Sequence, residues 1–260
     1  MITYRTFIDN INCLFTIPEV SNGNIIINCS GLPGQPENYE LFSYFTQQGF
    51  ICIHPKYEGT WESYGKFLEK SPVEDIIKVI DYVSEKRSLK SAYDSSTINL
   101  NFKNIFLFGS SFGASVALVA HAKTSSITGV VAIAPVTNFV TQGGGEDEEQ
   151  DLTNLGTFLR EGYGRAYDFE LDNWQKLLEG EIDINPVNYK EELSSKCILL
   201  LHGENDKTVS IQKTKDFFEN IKNDKSKLIR IPDIGHLSFF HLKSSGHVDS
   251  ILEWIKANSN

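Results

Sequence analysis

The five residues Gly109-Ser-Ser111-Phe-Gly113 have the types and the spacing that nucleophilic catalysis needs. The apolar run 105–108 before them predicts a strand, and the small and apolar residues of 112–122 predict a helix. In that context Gly-x-Ser-x-Gly is typical of a tight strand-to-helix turn that holds the serine hydroxyl clear of the sheet. Ser111 is therefore the candidate nucleophile, and it needs a neighbouring base to take its proton.

Asp206 is the candidate acid. It follows the apolar run 197–202, within the segment Gly203-Glu-Asn-Asp206, and so lies in a loop at the carboxyl end of a predicted strand. Open parallel sheets bring their functional side chains to that edge. Glu204 is nearer to the strand end and stays open as an alternative. The loop after the preceding strand offers only Asn138, which cannot ionise.

His236 is the candidate base, because it follows the last predicted strand, 227–231, and also lies in a loop at a strand end. His241 and His247 compete with it, and His202 lies beside the acid loop, where it is expected to pack and to bond to the backbone. The spacing of these histidines does not match a zinc-binding HExxH helix, so neither a metal ion nor a cofactor is expected. His54 and His121 are expected to be structural or exposed.

Acyl transfer also needs two N–H groups aimed at the oxygen that becomes negative. One should be the N–H of Phe112, directly after the nucleophile, and the other should come from the loop Ser30-Gly-Leu-Pro-Gly34. Pro33 has no N–H to donate. Leu32 is therefore the first choice and Gly31 the second.

The elements that must position these residues alternate along the chain. Two β-rich runs, 4–8 and 13–17, predict an antiparallel hairpin at a sheet edge. The predicted strands that follow are 24–29, 50–54, 105–108, 129–134, 197–202 and 227–231. The predicted helices are 38–48, one that starts at Ser71-Pro72, 112–122, 210–222 and 246–257. Strands alternating with helices predict an α/β fold with a mostly parallel sheet covered on both faces.

Residues 137–190 interrupt that alternation. Gly143-Gly-Gly145 leads into the acidic run 146–151, which is expected to be a solvated loop, and helical segments follow. We expect a lid or cap inserted into one domain that spans residues 1–260. The aromatic residues of this insertion and of 57–67 have two open interpretations, as the lining of an acyl pocket or as core. The insertion's aromatic candidates are Phe158, Tyr163, Tyr167, Phe169 and Trp174, and Arg160 and Arg165 are candidates for contact with a substrate carboxylate.

The composition limits the partners and the cellular location that we expect for this protein. The 260 residues are 40% hydrophobic, enough for a sizeable core, and carry a net charge of −10, which argues against nucleic acids and anionic membranes as partners. The first residues contain no signal-peptide core, and no apolar run is long enough to span a membrane. The four cysteines have no CxxC spacing and are expected to be buried thiols, which fits a cytoplasmic protein. The oligomeric state is not readable from the sequence.

With Ser111, Asp206 and His236 in this order, the chain resembles the α/β-hydrolase superfamily over nearly its whole length. Two further stretches, Tyr57-Glu-Gly-Thr-Trp-Glu-Ser-Tyr-Gly-Lys-Phe67 and Asn185-Pro-Val-Asn-Tyr189, are similar to segments of the prolyl oligopeptidase family, in its dipeptidyl-aminopeptidase and acylaminoacyl-peptidase branch. The sequence departs from that branch in three respects. It contains no β-propeller, no recognisable pair of glutamates for a substrate amino terminus, and Ser30 where a histidine often precedes the oxyanion glycine.

The resemblance and the motifs together predict a serine hydrolase that acts on a small ester, amide or short peptide. Ser111 would attack the acyl carbon, His236 would carry the proton, and Asp206 would orient His236 and stabilise its charged form. The departures favour carboxylester hydrolysis over peptide cleavage. A serine peptidase and a non-catalytic ligand-binding member of the same fold remain the alternatives.

Overall fold

A computed structural model describes residues 1–34, 39–143, 149–237 and 239–259, without the side chains of Tyr39 and Phe240. The predicted start of the first helix at residue 38, Gly144 and Gly145, and the first half of the acidic run lie outside the described residues.

The strands of the described residues match the predicted ones closely, and a short hairpin is added to them. They are Ile2–Ile8 (β1), Ile11–Ile17 (β2), Asn24–Cys29 (β3), Ile51–Pro55 (β4), Ser88–Lys90 (β5), Thr97–Asn99 (β6), Asn104–Ser110 (β7), Gly129–Ile133 (β8), Ile198–Gly203 (β9) and Lys227–Ile231 (β10). Within the described ranges, eight of them form one sheet in the order β1-β2-β4-β3-β7-β8-β9-β10. The strands from β4 to β10 in that order are parallel, and β1 and β2 form the antiparallel edge.

The helices cover both faces of this sheet. They are Tyr39–Gln47 (α1), Pro72–Lys86 (α2), Phe112–Lys123 (α3), Thr153–Tyr163 (α4), Leu171–Glu179 (α5), Lys190–Leu193 (α6), Ile211–Ile221 (α7), Phe239–Ser244 (α8) and His247–Ala257 (α9). The small hairpin β5–β6 and the helix α8 were not predicted from the sequence. In the parts of the chain that the structure describes, none of these helices has the length and apolar character to cross a membrane.

The core forms two layers, one on each face of the sheet, because neighbouring residues of a strand point to opposite sides. In β7, Ile105 and Leu107 belong to the layer under α2, α3 and α7, whereas Phe106 and Phe108 belong to the layer under α1, α8 and α9. The inner strands are buried on both faces, as the strands of parallel sheets usually are, whereas the edge strands β1 and β10 are partly exposed. The predicted mostly parallel α/β architecture is therefore confirmed.

The turn between β7 and α3 brings backbone segments very close together. A Cβ on Gly113 would lie 2.1 Å from the carbonyl oxygen of Cys29, and a Cβ on Gly109 would lie 2.3 Å from the carbonyl oxygen of Gly113. No real side chain fits at either distance. The two glycines therefore let the start of α3 rest directly on the end of β3.

The segment between β8 and β9 contains α4 and α5 together with three 3₁₀ turns at Phe139–Thr141, Gly164–Ala166 and Pro186–Tyr189. Residues of this segment, among them Leu159, Trp174 and Leu177, are buried in the same core layer as α2 and α3. The predicted insertion is therefore helical and packed against the domain. Its role as a lid stays a prediction.

The contact at Gly113 leads to a test of the fold. We expect Gly113→Ala to lower the free energy of unfolding by about 3 kcal/mol or more, because the new methyl group must displace backbone rather than a side chain. Gly162→Ala is the matched control, since its Cβ would meet Phe158 at an ordinary 3.6 Å within α4. Urea unfolding measures both variants. Equal stability of the two would contradict this account of the turn.

Candidate active site

Ser111 lies at the turn between β7 and α3 with φ 52° and ψ −121°. A positive φ is uncommon for a residue with a side chain and marks local strain. The strained conformation is held by hydrogen bonds, since the Ser111 N–H donates to Ile133 O at 2.8 Å and Ser111 O accepts from Ala114 N at 3.0 Å. The sequence therefore folds here into the tight strand-to-helix turn that the motif predicts, which is called the elbow below.

The loops that carry the acid and the base are joined by backbone contacts at the ends of β9 and β10. A Cβ on Gly203 would lie 2.2 Å from the carbonyl oxygen of Gly235, so this approach requires glycine at residue 203. Asn205 N–H donates to Ile234 O at 2.9 Å. These contacts bring residues thirty positions apart in the sequence to the same rim of the sheet.

Asp206 and His236 form a hydrogen-bonded pair. His236 Nδ1 lies 2.7 Å from Asp206 Oδ2. An ionised carboxylate only accepts, so Nδ1 carries a proton. In the neutral imidazole this tautomer leaves the lone pair on Nε2, which is the arrangement that a general base needs. Asp206 Oδ1 accepts from the N–H groups of Thr208 and Val209 at 2.8 and 3.0 Å, which fixes the carboxylate in the loop.

His202 is a second neighbour of the same carboxylate. Its Nε2 lies 3.3 Å from Asp206 Oδ2 and 3.0 Å from the carbonyl oxygen of Val209. Both neighbours are acceptors, so Nε2 carries the proton. The ring is fully buried. His202 therefore supports the acid loop, as expected, and does not line the cavity described below.

The environment of Asp206 favours its charged form. Burial by itself would raise the pKa of the carboxyl group, but hydrogen bonds from His202 and His236, the charge on His236 and the N–H of Val209 outweigh it. Together they hold the pKa well below its usual value. Asp206 is therefore an ionised carboxylate near neutral pH.

The alternatives considered for the acid lie elsewhere. Glu204 Oε1 lies 3.6 Å from Arg230 Nη1, and its side chain is exposed. Asn138 uses its side chain to accept from Val140 N at the start of a 3₁₀ turn.

The alternatives for the base are also placed away from Ser111. His247 is at the start of α9, with its Nδ1 2.9 Å from Ser245 Oγ, and His241 is on α8. Neither lines the cavities that contain Ser111.

A cavity of about 500 Å³ opens beside Ser111, and His236 lines it as well. Its walls are mostly apolar, and the apolar side chains include Val136, Phe139, Leu152, Leu155, Phe158 and Trp174. Among the hydrogen bonds of the described residues there is none between the Ser111 hydroxyl and His236, so the expected short contact is not formed here. Catalytic hydrogen bonds are often long before substrate binds.

A second cavity of about 370 Å³ lies on the other side of the same rim. It shares Ser111 and His236 with the first, and its walls are mostly polar, including Asn28, Glu40 and His54. Ser111 therefore stands between an apolar and a polar space.

The two residues expected to donate to the oxyanion lie at the same cavity. Leu32 and Phe112 both line the apolar cavity beside Ser111. The loop that carries Leu32 lies directly against the elbow, since a Cβ on Gly31 would be 2.9 Å from the carbonyl oxygen of Ser110. Both residues therefore border the space beside Ser111, and their role as oxyanion donors stays a prediction.

The structure divides the aromatic candidates of the insertion. Phe158 and Trp174 line the apolar cavity, whereas Tyr167 and Phe169 are buried and border a different, open cavity of about 900 Å³. Arg160 and Arg165 border that larger cavity and not the space beside Ser111. The hypothesis that they meet a substrate carboxylate at Ser111 is therefore not supported.

Several wall residues were not singled out from the sequence, notably Val136, Phe139, Leu152 and Leu155. Val136 and Phe139 come soon after the predicted strand 129–134, and this position near a strand end could have indicated that they line the site. Leu152 and Leu155 reach the site only through the packing of α4, which no local pattern indicates.

Solved structures with the same fold are numerous. An esterase from Pyrococcus furiosus superposes with a TM-score of 0.71 at 16% identity, covering 99% of this chain and 89% of its own. The α/β hydrolase GrgF from Penicillium sp. sh18 gives 0.72 at 16% identity, with 99% and 98% covered. Est1E from Butyrivibrio proteoclasticus, solved with ferulic acid bound, gives 0.66 at 18% identity, with 97% and 99% covered.

Sequence comparison is more specific about the family. Curated protein sequences gave no significant match. The model of the prolyl oligopeptidase family matches residues 38–260, which include the elbow and both loops that carry the acid and the base. That match agrees with the resemblance of the motifs and with the serine-hydrolase class they indicate. The chain belongs to the prolyl oligopeptidase family.

Proposed function

We propose that this protein is a carboxylesterase-like serine hydrolase in which Ser111 is the nucleophile, His236 the general base and Asp206 its orienting acid. The observation that carries the proposal is the 2.7 Å hydrogen bond between His236 Nδ1 and Asp206 Oδ2 at the rim of the cavity that Ser111 lines. It supports the proposal because it orients the His236 ring, with a proton on Nδ1, in a residue that lines the same cavity as Ser111.

In the proposed reaction the Ser111 hydroxyl oxygen attacks the acyl carbon while His236 Nε2 takes its proton. The carbonyl oxygen becomes negative and is bound by the N–H groups of Leu32 and Phe112. His236 then gives the proton to the leaving oxygen, which departs as an alcohol. A water molecule then attacks the acyl carbon of the acyl-enzyme while His236 Nε2 accepts its proton. His236 gives that proton to the Ser111 oxygen as the carboxylic acid leaves.

The two cavities indicate how an ester would lie. The apolar cavity of about 500 Å³ suits the acyl chain, because burying apolar surface there is favourable. The polar cavity of about 370 Å³ then takes the alcohol part. We infer a substrate with a medium-length aliphatic or an aromatic acyl group and a more polar alcohol.

A serine peptidase of the aminopeptidase or acylaminoacyl-peptidase type is the second candidate. Family membership favours it, since the matching model is that of prolyl oligopeptidases. An amide would use the same residues, with an amine as the leaving group. Aminoacyl-nitroanilides tested beside esters separate the two, because faster turnover of the anilides would favour the peptidase.

We further propose a cytoplasmic location. All four cysteines, Cys13, Cys29, Cys52 and Cys197, are buried free thiols. Burial raises the pKa of Cys52 to about 12 and that of Cys197 to about 11, so both stay protonated and unreactive. Such thiols are compatible with a reducing compartment.

The assignment of the nucleophile is tested by covalent labelling. A fluorophosphonate probe should label the wild-type protein, and Ser111→Ala should abolish labelling while the protein stays folded. Ser110→Ala is the matched control, since it removes the neighbouring hydroxyl of the same motif and should keep the label. An unlabelled, folded wild type would instead favour a non-catalytic ligand-binding member of the fold.

The assignment of the acid makes a prediction about pH. The native pKa of Asp206 lies below that of an unfolded aspartate, about 3.9, so its charge stabilises the fold above that pH, and the benefit is lost as pH falls towards the native pKa. The difference in free energy of unfolding between wild type and Asp206→Asn should therefore be largest near pH 7 and shrink below pH ~4.

The same variant should lower kcat by roughly 10³–10⁴-fold, because an amide no longer holds His236 in the required tautomer. Asp81→Asn, on the exposed side of α2, is the control and should change neither quantity. Urea unfolding at several pH values and ester kinetics measure both effects. A stability difference that does not vary with pH would count against a charged Asp206.

The acyl assignment of the apolar cavity is tested at Leu155, which lines it from α4. Leu155→Trp should lower kcat/KM for p-nitrophenyl octanoate about 10-fold more than for the acetate, because the larger ring removes space for the chain. Thr157→Trp, on the exposed side of the same helix, should leave the ratio unchanged. An equal loss for both esters would place the acyl chain elsewhere.

A further inference from the structure

The loop Ser30-Gly-Leu-Pro-Gly34 has to keep one N–H aimed at a fixed point, yet it lies outside regular secondary structure. Side chains from other segments hold both of its ends. At the first end, Tyr57 Oη donates to the carbonyl oxygen of Ser30 at 3.1 Å. At the last end, the N–H of Gly34 donates to Tyr167 Oη at 2.8 Å. His54 Nε2 adds a 2.7 Å hydrogen bond with Ser30 Oγ.

The phenol of Tyr167 is itself held in place by backbone pairing. Tyr167 forms an isolated β-bridge with Thr60. On either side of it, Trp61 N–H donates to Ala166 O at 2.9 Å, and Asp168 N–H donates to Gly59 O at 2.8 Å. The side chain is 2% exposed. The backbone of Tyr167 is therefore fixed against the loop after β4, and its buried ring is packed in place beside Gly34.

Phe67 connects the two tyrosines to the second oxyanion donor. Its ring centroid lies 6.3 Å from that of Tyr57, 5.7 Å from that of Tyr167 and 5.9 Å from that of Phe112. Tyr57 also contacts Phe112 directly, with centroids 5.9 Å apart. One buried aromatic cluster thus touches the residue that carries one donor and both ends of the loop that carries the other.

We propose that Tyr57 and Tyr167 are positioning residues whose phenols clamp the two ends of the oxyanion loop, with Tyr167 supplied by the insertion. Neither hydroxyl is directed to the substrate in this proposal. Each acts through the backbone of residues 30–34, by keeping the Leu32 N–H aimed at the developing oxyanion. The inference rests on the proposed function of Ser111, Asp206 and His236.

Positioning of this kind has a kinetic signature. The oxyanion interaction is made mainly in the transition state, so its loss lowers kcat and leaves KM nearly unchanged. Loss of a whole donor costs about 10²–10³-fold in kcat. A donor that is present but poorly aimed should cost less, and we expect about 5–50-fold for Tyr167→Phe.

The experiment compares Tyr167→Phe, Tyr57→Phe and the control Tyr163→Phe in the full-length protein. Tyr163 is in the same insertion, and its ring contacts Tyr167 at 5.7 Å, but its hydroxyl does not contact the loop in the described structure. We expect the first two variants to lower kcat for a p-nitrophenyl ester with KM within about 2-fold of wild type. The control should match wild type.

A boronic acid that forms a tetrahedral adduct with the serine provides a second readout. Its inhibition constant should rise in proportion to the loss of kcat in both clamp variants, because the adduct oxygen uses the same N–H groups. A merely structural role would lower the melting temperature without this proportionality. If Tyr167→Phe does not fold, Tyr57→Phe decides the question from the other end of the loop.

The outcomes separate this inference from the function on which it rests. An active wild type with unchanged kcat in the clamp variants overturns the clamp alone, and so does a rise in KM at constant kcat. A wild type that neither hydrolyses esters or anilides nor takes the fluorophosphonate label overturns the proposed function, and the clamp with it.

Discussion

The close approach of α3 to the end of β3 is the constraint on which the site depends. Gly113 lies so near the carbonyl oxygen of Cys29 that no side chain fits between them. That contact does more than allow a sharp turn at Ser111. Cys29 is the last residue of β3, and the loop that begins at Ser30 follows it directly. The same contact therefore places the serine hydroxyl, the N–H of Phe112 and the oxyanion loop within one small region.

A second contact of the same kind joins the proposed acid to the proposed base. Gly203 and Gly235 bring the ends of β9 and β10 together, and the 2.7 Å hydrogen bond between Asp206 and His236 follows from it. The carboxylate is buried, which by itself opposes its charge, so its hydrogen bonds must outweigh that cost. Because three N–H groups and the buried His202 ring surround it, Asp206 keeps both its charge and its direction. The carboxylate is thus held by the fold itself, and it orients the partly exposed ring of His236.

Local sequence patterns were enough to predict most of the fold and the three candidate catalytic residues. Ser111 and Asp206 follow strongly apolar runs within four residues, and His236 follows the last predicted strand, 227–231, within five. An α/β sheet brings the ends of such strands to one common edge. The hairpin β5–β6 and the helix α8 were missed because their segments are short and lack a clear period. The roles of Tyr57 and Tyr167 were also not predicted. Their hydroxyl partners are backbone groups 27 and 133 residues away, and no spacing rule connects them.

The insertion takes part in two features of the site at once, which couples substrate choice to catalytic geometry. Its helices α4 and α5 supply Leu155, Phe158 and Trp174 to the apolar wall, and Tyr167 just beyond α4 reaches the oxyanion loop. A change that enlarges the wall by shifting α4 also pulls on Tyr167, because only three residues separate that tyrosine from the end of the helix. In the proposed mechanism, acyl-chain preference and kcat therefore cannot vary independently through movement of this insertion. Substitution of a single side chain in the cavity wall should change acyl-chain preference without changing kcat in this way, since it leaves the backbone pairing of Tyr167 with Thr60 in place.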